Sequence, residues 1–313
     1  MISDKKVLVT GATGQIARPI AERLAEDNEV WCAARFSRPE AAAELEALGI
    51  VPCRWDLGSD DFSMLPTDFT HVVHAAALMA AEEHDEAVRV NAEGAGMLMQ
   101  HCRSAEAFVF VSSFCLYQKQ APDHPYAEVD PLGGNATYAS SYPVSKIAAE
   151  GAVRAAARML ELPTTIARMN VGYGMSSWGG LPVMYFDKML RGEPISVPVG
   201  YDNISSPIAE TDIAEQAGGP LFDIASSPAT IVNWAGDDPV SERQFCDYLG
   251  GLAGITPTYV ESEVTFDCFV SDNTRRRELI GPCQTSWKDG MRRTIEARFP
   301  GAFDASDGEK SGR

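Results

Sequence analysis

Short apolar runs alternate with stretches of helical periodicity through the first half of the chain, the pattern of a parallel sheet with crossover helices. Lys6–Thr10 (KVLVT) predicts a short strand, and Ile16, Ile20 and Leu24 then recur at helical spacing to about Asp27. Glu29–Ala34 (EVWCAA) predicts a second strand, residues 40–48 a second helix, 50–53 a third strand and 71–76 a fourth. A long helix is expected over 87–103, a fifth strand over 108–112, another helix over 142–160 and a sixth strand over 164–168. Beyond that the rhythm changes. Residues 171–180 are rich in Gly, Ser and Tyr, and 192–207 in Pro and Gly, which suits loops that shape a pocket. Short strands and helices are expected over 236–300, and the polar tail 303–313 is expected to be disordered.

Composition narrows the class. The 313 residues, 45% hydrophobic and 22% charged, fit one large α/β domain with a smaller lobe. A formal charge of −18 argues against nucleic acid or an acidic membrane surface as partner, since both need a basic face. The seven cysteines have no CxxC or paired spacing, so a reducing compartment and core thiols are expected, with no metal site. The start Met1-Ile2-Ser3-Asp4-Lys5-Lys6 lacks the apolar core of a signal peptide, and no apolar run approaches membrane-spanning length. A soluble, cytoplasmic protein is the expectation.

The segment Thr10-Gly11-Ala12-Thr13-Gly14-Gln15-Ile16-Ala17 follows a strand and opens a helix. That context turns a weak glycine pattern into a dinucleotide site. Gly11 permits the tight turn, Gly14 lets backbone N–H groups approach a pyrophosphate, and the helix N-terminus favours its charge. Ala17 stands where a third glycine usually sits, and any small residue serves there. An NAD site places Asp or Glu at the end of the second strand, whereas this chain reads Ala34-Arg35-Phe36-Ser37-Arg38. Arg35, helped by Arg38, would bind a ribose 2′-phosphate, so NADP is expected ahead of NAD. Asp56 is placed to accept from the adenine amino group or to cap a turn, and Leu57, Ala75 and Ala76 complete the expected cofactor contacts.

Several ordered segments now combine: Thr10 to Ala17, His71 to Ala76, Val90-Asn91-Ala92-Glu93-Gly94, Val111-Ser112-Ser113 with Tyr117, Tyr142-Pro143-Val144-Ser145-Lys146, and Arg168-Met169-Asn170-Val171. With Asp272-Asn273-Thr274-Arg275 near the end, the chain resembles the extended short-chain dehydrogenase/reductase superfamily over roughly residues 5–300. The superfamily includes sugar-nucleotide epimerases, dihydroflavonol-type reductases and 3β-hydroxysteroid dehydrogenases. The resemblance implies a Rossmann-type doubly wound parallel sheet over 1–170, rejoined by part of 208–235. A smaller substrate-binding lobe would come from 171–207 and 236–302. It also implies a homodimer through the helices near 87–103 and 142–160.

The same resemblance assigns catalysis to Ser113, Tyr142 and Lys146. Tyr142 and Lys146 lie four apart on one helix and so face the same side. An ordinary tyrosine titrates near pH ~10 and is a poor base at neutrality. Lowering it by about three pH units is roughly 4 kcal/mol, which a lysine ammonium and an oxidised nicotinamide would supply together. Ser113 would bond the reacting oxygen. Asn91 would join the cofactor site, bonding backbone and supporting a proton relay, or else serve helix packing; His74 is read as structural, and Asn170 would lie near the nicotinamide or the substrate.

The positions where dehydratases of this superfamily carry an Asp-Glu pair hold Phe114 and Cys115 here, so dehydration is not expected. Sugar-nucleotide epimerases resemble one another in carrying a diphosphate-gripping arginine where this chain has Ser205, although Arg168 or Arg191 could serve. Expected substrate contacts are Met79, Ser113, Phe114, Cys115, Tyr173 and Trp178, mostly apolar. The leading expectation is therefore an NADP-dependent oxidoreductase interconverting a secondary alcohol and a carbonyl on a small, largely apolar substrate. An NAD(P)-dependent sugar or nucleotide-sugar epimerase is the alternative, and a non-catalytic NADP-sensing protein the third reading.

Overall fold

The structure, a computed structural model, describes residues 1–134 and 139–304. A seven-stranded sheet lies at its centre. The strands are β1 (Lys6–Thr10), β2 (Glu29–Ala34), β3 (Val51–Arg54), β4 (His71–His74), β5 (Ala107–Ser113), β6 (Thr164–Met169) and β7 (Thr230–Trp234). Their order is β7-β6-β5-β4-β1-β2-β3, and every neighbouring pair is parallel. Helices α1 (Ala17–Leu24), α2 (Glu40–Glu46), α3 (His84–Val88), α4 (Gly94–His101) and α5 (Ser141–Leu160) alternate with the first strands.

Both faces of the sheet are covered, which is why its strands read as apolar runs. Alternate residues of one strand join opposite cores. Val7, Val9, Val73 and Val109 pack with Ile20 and Leu24 of α1 on one face. Leu8, Val72, Phe108 and Phe110 pack with Leu98 of α4 and Val153 of α5 on the other. The chain winds outward from β1 to β3, then returns to β4 on the other side of β1. Such a reversal opens a crevice beyond the carboxyl ends of the strands.

The sequence pattern located the first six strands to within two residues at each end. The long helix expected over 87–103 instead begins with α3 at His84 and reaches α4 through a π-helical turn, Arg89–Glu93. Such turns carry an extra residue and recur at functional sites. Helix α6 (Leu181–Leu190) was not expected, because its buried residues Leu181, Val183, Tyr185, Phe186 and Met189 leave no narrow apolar stripe.

Helix α7 (Glu210–Ala217) follows, and 230–234 then enters the sheet as β7. Helices α8 (Glu242–Ala253), α9 (Thr274–Ile280) and α10 (Trp287–Arg298) complete the chain. Helix α8 starts with a reciprocal capping box between Ser241 and Gln244. A third hydrophobic core gathers Tyr173, Phe186, Ile195, Phe245, Leu249 and Met291 from the stretches between 171 and 303. Phe303 still packs against Phe186, with ring centroids 5.9 Å apart, so the chain is anchored where the tail was expected to begin. The remainder of that tail, 305–313, lies outside the described residues.

Candidate active site

The turn between β1 and α1 is held by a close backbone approach. Gly11 has φ of 78°, and a Cβ added there would lie 2.9 Å from the Cα and N of Ala76. Its N–H donates to the Ala33 carbonyl at 2.8 Å, and the Gly14 N–H donates to the Gly11 carbonyl at 2.8 Å. Helix α1 then begins with no side-chain cap and no acidic residue in its first turn. The positive end of this helix therefore carries no competing side-chain acceptor, so the turn fits a dinucleotide pyrophosphate. Gln15 ties the turn to the loop after β6 by donating to the Gly172 carbonyl at 2.6 Å.

A cleft of about 800 Å³ crosses the carboxyl ends of the strands. Gly11, Thr13, Gly14, Gln15 and Ile16 line its middle, with Arg35, Asp56 and Leu57 beyond β2 and β3. Ala75, Ala76 and Met79 line it after β4, and Ser113, Phe114 and Cys115 after β5. Tyr142 and Lys146 from α5, Asn170 after β6, and Trp178 complete the residues expected there.

Three expected residues lie elsewhere. Arg38 is exposed and turns to Glu44 at 3.4 Å, on the surface beside α2. Asn91, in the π-helical turn, clamps backbone instead of lining the cleft. It accepts from the Leu78 N–H at 2.7 Å and donates to the Leu78 carbonyl and Ser145 Oγ, both at 2.9 Å. Tyr173 is sealed in the third core, its hydroxyl against Gly290. It supports the cleft wall from behind and offers a substrate nothing.

The groups expected to be catalytic come together at the end of the cleft beside β5. Lys146 is buried, and its Nζ donates to the Val111 carbonyl at 2.7 Å and sits 4.2 Å from the Phe110 ring centre. Burial lowers its pKa to about 8. The same Nζ lies 6.0 Å from the Tyr142 ring centre. Ser113 ends β5 two residues beyond Val111, its Oγ accepting from the Cys115 N–H at 3.3 Å. Behind it, Ser112 donates to Glu150 at 2.7 Å, and Glu150 holds Arg168.

His74 is fully buried, which drives its pKa down to about 3. Thr10 Oγ1 accepts from the Ala76 N–H and shares a hydrogen bond with His74 Nδ1, 2.7 Å away. His74 is thus a neutral structural residue of β4, as the sequence indicated.

Asn170 lines the cleft, but its amide is engaged. It donates to the Phe269 carbonyl at 2.8 Å and accepts from the Val171 and Ser206 N–H groups. That bond brings in a wall the sequence did not reveal: Phe266, Asp267 and Phe269. They come from an irregular stretch with no periodicity and no motif, nearly 100 residues from Asn170, so only the folded chain identifies them. Arg89, from the π-helical turn, is another unforeseen lining residue; it donates to the Gly58 carbonyl at 3.0 Å.

Neither arginine considered for a diphosphate lines the cleft. Arg168 is buried against Glu150, and Arg191 is exposed and paired with Asp187 and Glu193. Ser205 is buried on the short strand Ile204–Ser205. Among the described residues no His, Cys, Asp or Glu cluster could hold a metal, and no helix is long and apolar enough to cross a membrane.

A doubly wound sheet, a glycine turn at its switch point and a Ser/Tyr/Lys cluster in one cleft define a nicotinamide-dinucleotide enzyme of the extended short-chain dehydrogenase/reductase type. The chain belongs to the NAD dependent epimerase/dehydratase family, whose model matches residues 7–200. A curated relative is the trifunctional UDP-glucose 4,6-dehydratase/UDP-4-keto-6-deoxy-D-glucose 3,5-epimerase/UDP-4-keto-L-rhamnose-reductase of Arabidopsis thaliana, 22% identical over 325 residues. The match covers 93% of this chain and 47% of that protein, so the chain spans about half the length of the curated relatives it matches. Among solved structures, the UDP-glucuronic acid 4-epimerase of Bacillus cereus, in complex with UDP-glucuronic acid and NAD, superposes with a TM-score of 0.80 at 18% identity. The match covers 93% of this chain and 98% of that one. The UDP-glucose 4-epimerase of Thermus thermophilus, in complex with NAD, gives 0.78 at 22% identity, covering 94% and 99%.

Proposed function

We propose that this protein is an NAD(P)-dependent epimerase acting on a sugar, and that it recycles its hydride. The observation that carries this reading is the meeting of Ser113, Tyr142 and Lys146 in the cleft of a chain belonging to the epimerase/dehydratase family. Its sugar-epimerase and rhamnose-forming relatives supply the substrate class. They weigh against the leading expectation from sequence and in favour of its alternative.

When bound, the nicotinamide supplies a centre that accepts a hydride and returns it. Gly11, Gly14 and the start of α1 would hold the pyrophosphate. Tyr142 would take and return the proton at the reacting oxygen, and the Lys146 charge would favour its phenolate. Ser113 would orient that oxygen. Residues 171–207 and 236–302 would form the substrate lobe over the nucleotide-binding half.

Two observations pull apart over the cofactor. The solved relatives carry NAD. In this chain Arg35 lines the cleft at the end of β2, with no carboxylate on that strand end to bond a ribose hydroxyl. The chain's own residues favour NADP.

The apolar cleft wall and the missing diphosphate arginine support a second reading, net oxidoreduction of a small alcohol or ketone. Sugars supplied with substoichiometric cofactor separate the two: the epimerase inverts many equivalents with no net cofactor reduction, whereas the oxidoreductase stops after one.

A homodimer and a reducing, cytoplasmic setting belong to the same proposal. Val144 and Met159 of α5 and Met97 of α4 are exposed large apolar residues on those two helices, and all seven cysteines are free thiols. Light scattering in solution tests the dimer.

A further inference from the structure

The substrate end of the cleft carries the wrong charge for a nucleotide sugar. The cationic side chains lining the cleft are, among the described residues, Arg35, Arg89 and Lys146. Arg35 follows β2 and Arg89 is bound to Gly58, so both stand at the nucleoside end, and Lys146 belongs to the chemistry. The wall facing Ser113 instead presents Phe266, Asp267 and Phe269.

This wall is fixed. Asn170 and Asn203 donate to the Phe269 and Phe266 carbonyls, and the Ser271 N–H donates to Ser206 Oγ. The Phe269 ring lies 6.3 Å from that of Phe114, next to Ser113. The Asp267 side chain is only 10% exposed, with Lys119 Nζ 3.6 Å away. Lys119 is half exposed and does not line the cleft, so it balances the carboxylate from outside. Asp267 lines the same cleft as Ser113, Cys115, Tyr142 and Lys146, which puts it on the wall that a substrate at the reacting groups would meet.

We propose that Asp267 recognises the substrate by accepting hydrogen bonds from its hydroxyl groups, and that this substrate is a neutral, phosphate-free sugar. A diphosphate on this wall would meet a carboxylate and no arginine. A neutral polyol gains charge-assisted bonds to Asp267 while Phe266, Phe269 and Trp178 cover its C–H faces. The inference rests on the epimerase reading and narrows it.

Two measurements on the cofactor-loaded protein test it. Calorimetric titration with UDP should release no binding heat at millimolar ligand, and an epimerisation screen should find turnover among free monosaccharides and none among UDP-sugars. With a reacting sugar, Asp267→Asn should raise KM about 10- to 100-fold with kcat within a few-fold and an unchanged melting temperature. Asp267→Glu should recover part of that loss. Micromolar UDP binding, turnover confined to UDP-sugars, or an Asp267→Asn KM equal to the parent's would overturn the inference and leave the epimerase reading standing. If no sugar of either kind reacts, the epimerase reading itself fails and this inference falls with it.

Discussion

Glu150 receives Arg168 on both carboxylate oxygens, from Nε at 2.9 Å and Nη2 at 2.8 Å, with both side chains almost wholly buried. Glu150 lies four residues beyond Lys146 and eight beyond Tyr142 on α5, and it also accepts from Ser112 on β5. The pair therefore ties the helix bearing Tyr142 and Lys146 to β5 and β6. Arg168 in turn donates to Tyr117, whose hydroxyl donates to Asn233 at 2.6 Å. Breaking one side of this pair strands a buried charge. Arg168→Met should lower unfolding stability by about 3–5 kcal/mol, and adding Glu150→Leu should restore a large part of it. Urea unfolding of the two variants checks this; equal losses in both would contradict it.

The buried Lys146 ammonium costs stability, and its proposed role in catalysis is separable from that cost. Burial lowers its pKa to about 8, so between there and its ordinary value the unfolded chain binds the extra proton. The stability deficit is full below pH ~8 and vanishes as pH rises past about 10. In the cofactor-free protein, Lys146→Met should therefore melt higher at pH 7, with the gap closing toward pH 10. Its turnover should fall by about 10²- to 10⁴-fold. Melting curves across pH, read beside activity, test both halves.

Glu242, at the start of α8, titrates in the other direction. It is buried and receives the Tyr185 hydroxyl at 2.9 Å, and burial raises its pKa to about 7. A raised carboxylate pKa gives stability that is complete below the unfolded value and is lost as pH climbs through the folded one. Glu242→Gln should thus match the parent at pH 4 and exceed it by about 1–3 kcal/mol at pH 8. A parallel pH dependence in parent and variant would contradict the assignment.

The proposed NADP preference makes a prediction at Arg35. A charge-assisted bond to a 2′-phosphate contributes about 1.5–3 kcal/mol, so Arg35→Ala should weaken NADP about 10- to 100-fold and leave NAD within a few-fold. Fluorescence titration of both cofactors reads the ratio. Equal losses for NAD and NADP would mean that Arg35 is a general cleft residue.

The sheet was legible because each central strand is buried on both faces and writes its own apolar run, and the glycine turn because its spacing follows from a backbone requirement at Gly11. Ser113, Tyr142 and Lys146 were legible through their resemblance to a known set, and they do share one cleft. Tyr173 misled because an aromatic residue beside a site reads the same whether it lines the cleft or braces it; Asn91 bonds backbone, as one of its readings had it, without lining the cleft. Helix α6 was hidden by burial on most of its sides. The wall from Phe266 to Phe269 was hidden because its position depends on tertiary hydrogen bonds from Asn170 and Asn203, which leave no local pattern.

The central claim is that Tyr142 would move the proton at the reacting oxygen while a bound nicotinamide takes the hydride and returns it. Proton NMR of a reacting sugar in deuterated water, with substoichiometric cofactor, tests it most directly. The account predicts many inverted equivalents that keep protium at the inverted carbon, no net cofactor reduction, and loss of the reaction in Tyr142→Phe. Deuterium at that carbon, or conversion that halts once the cofactor is used, would contradict it.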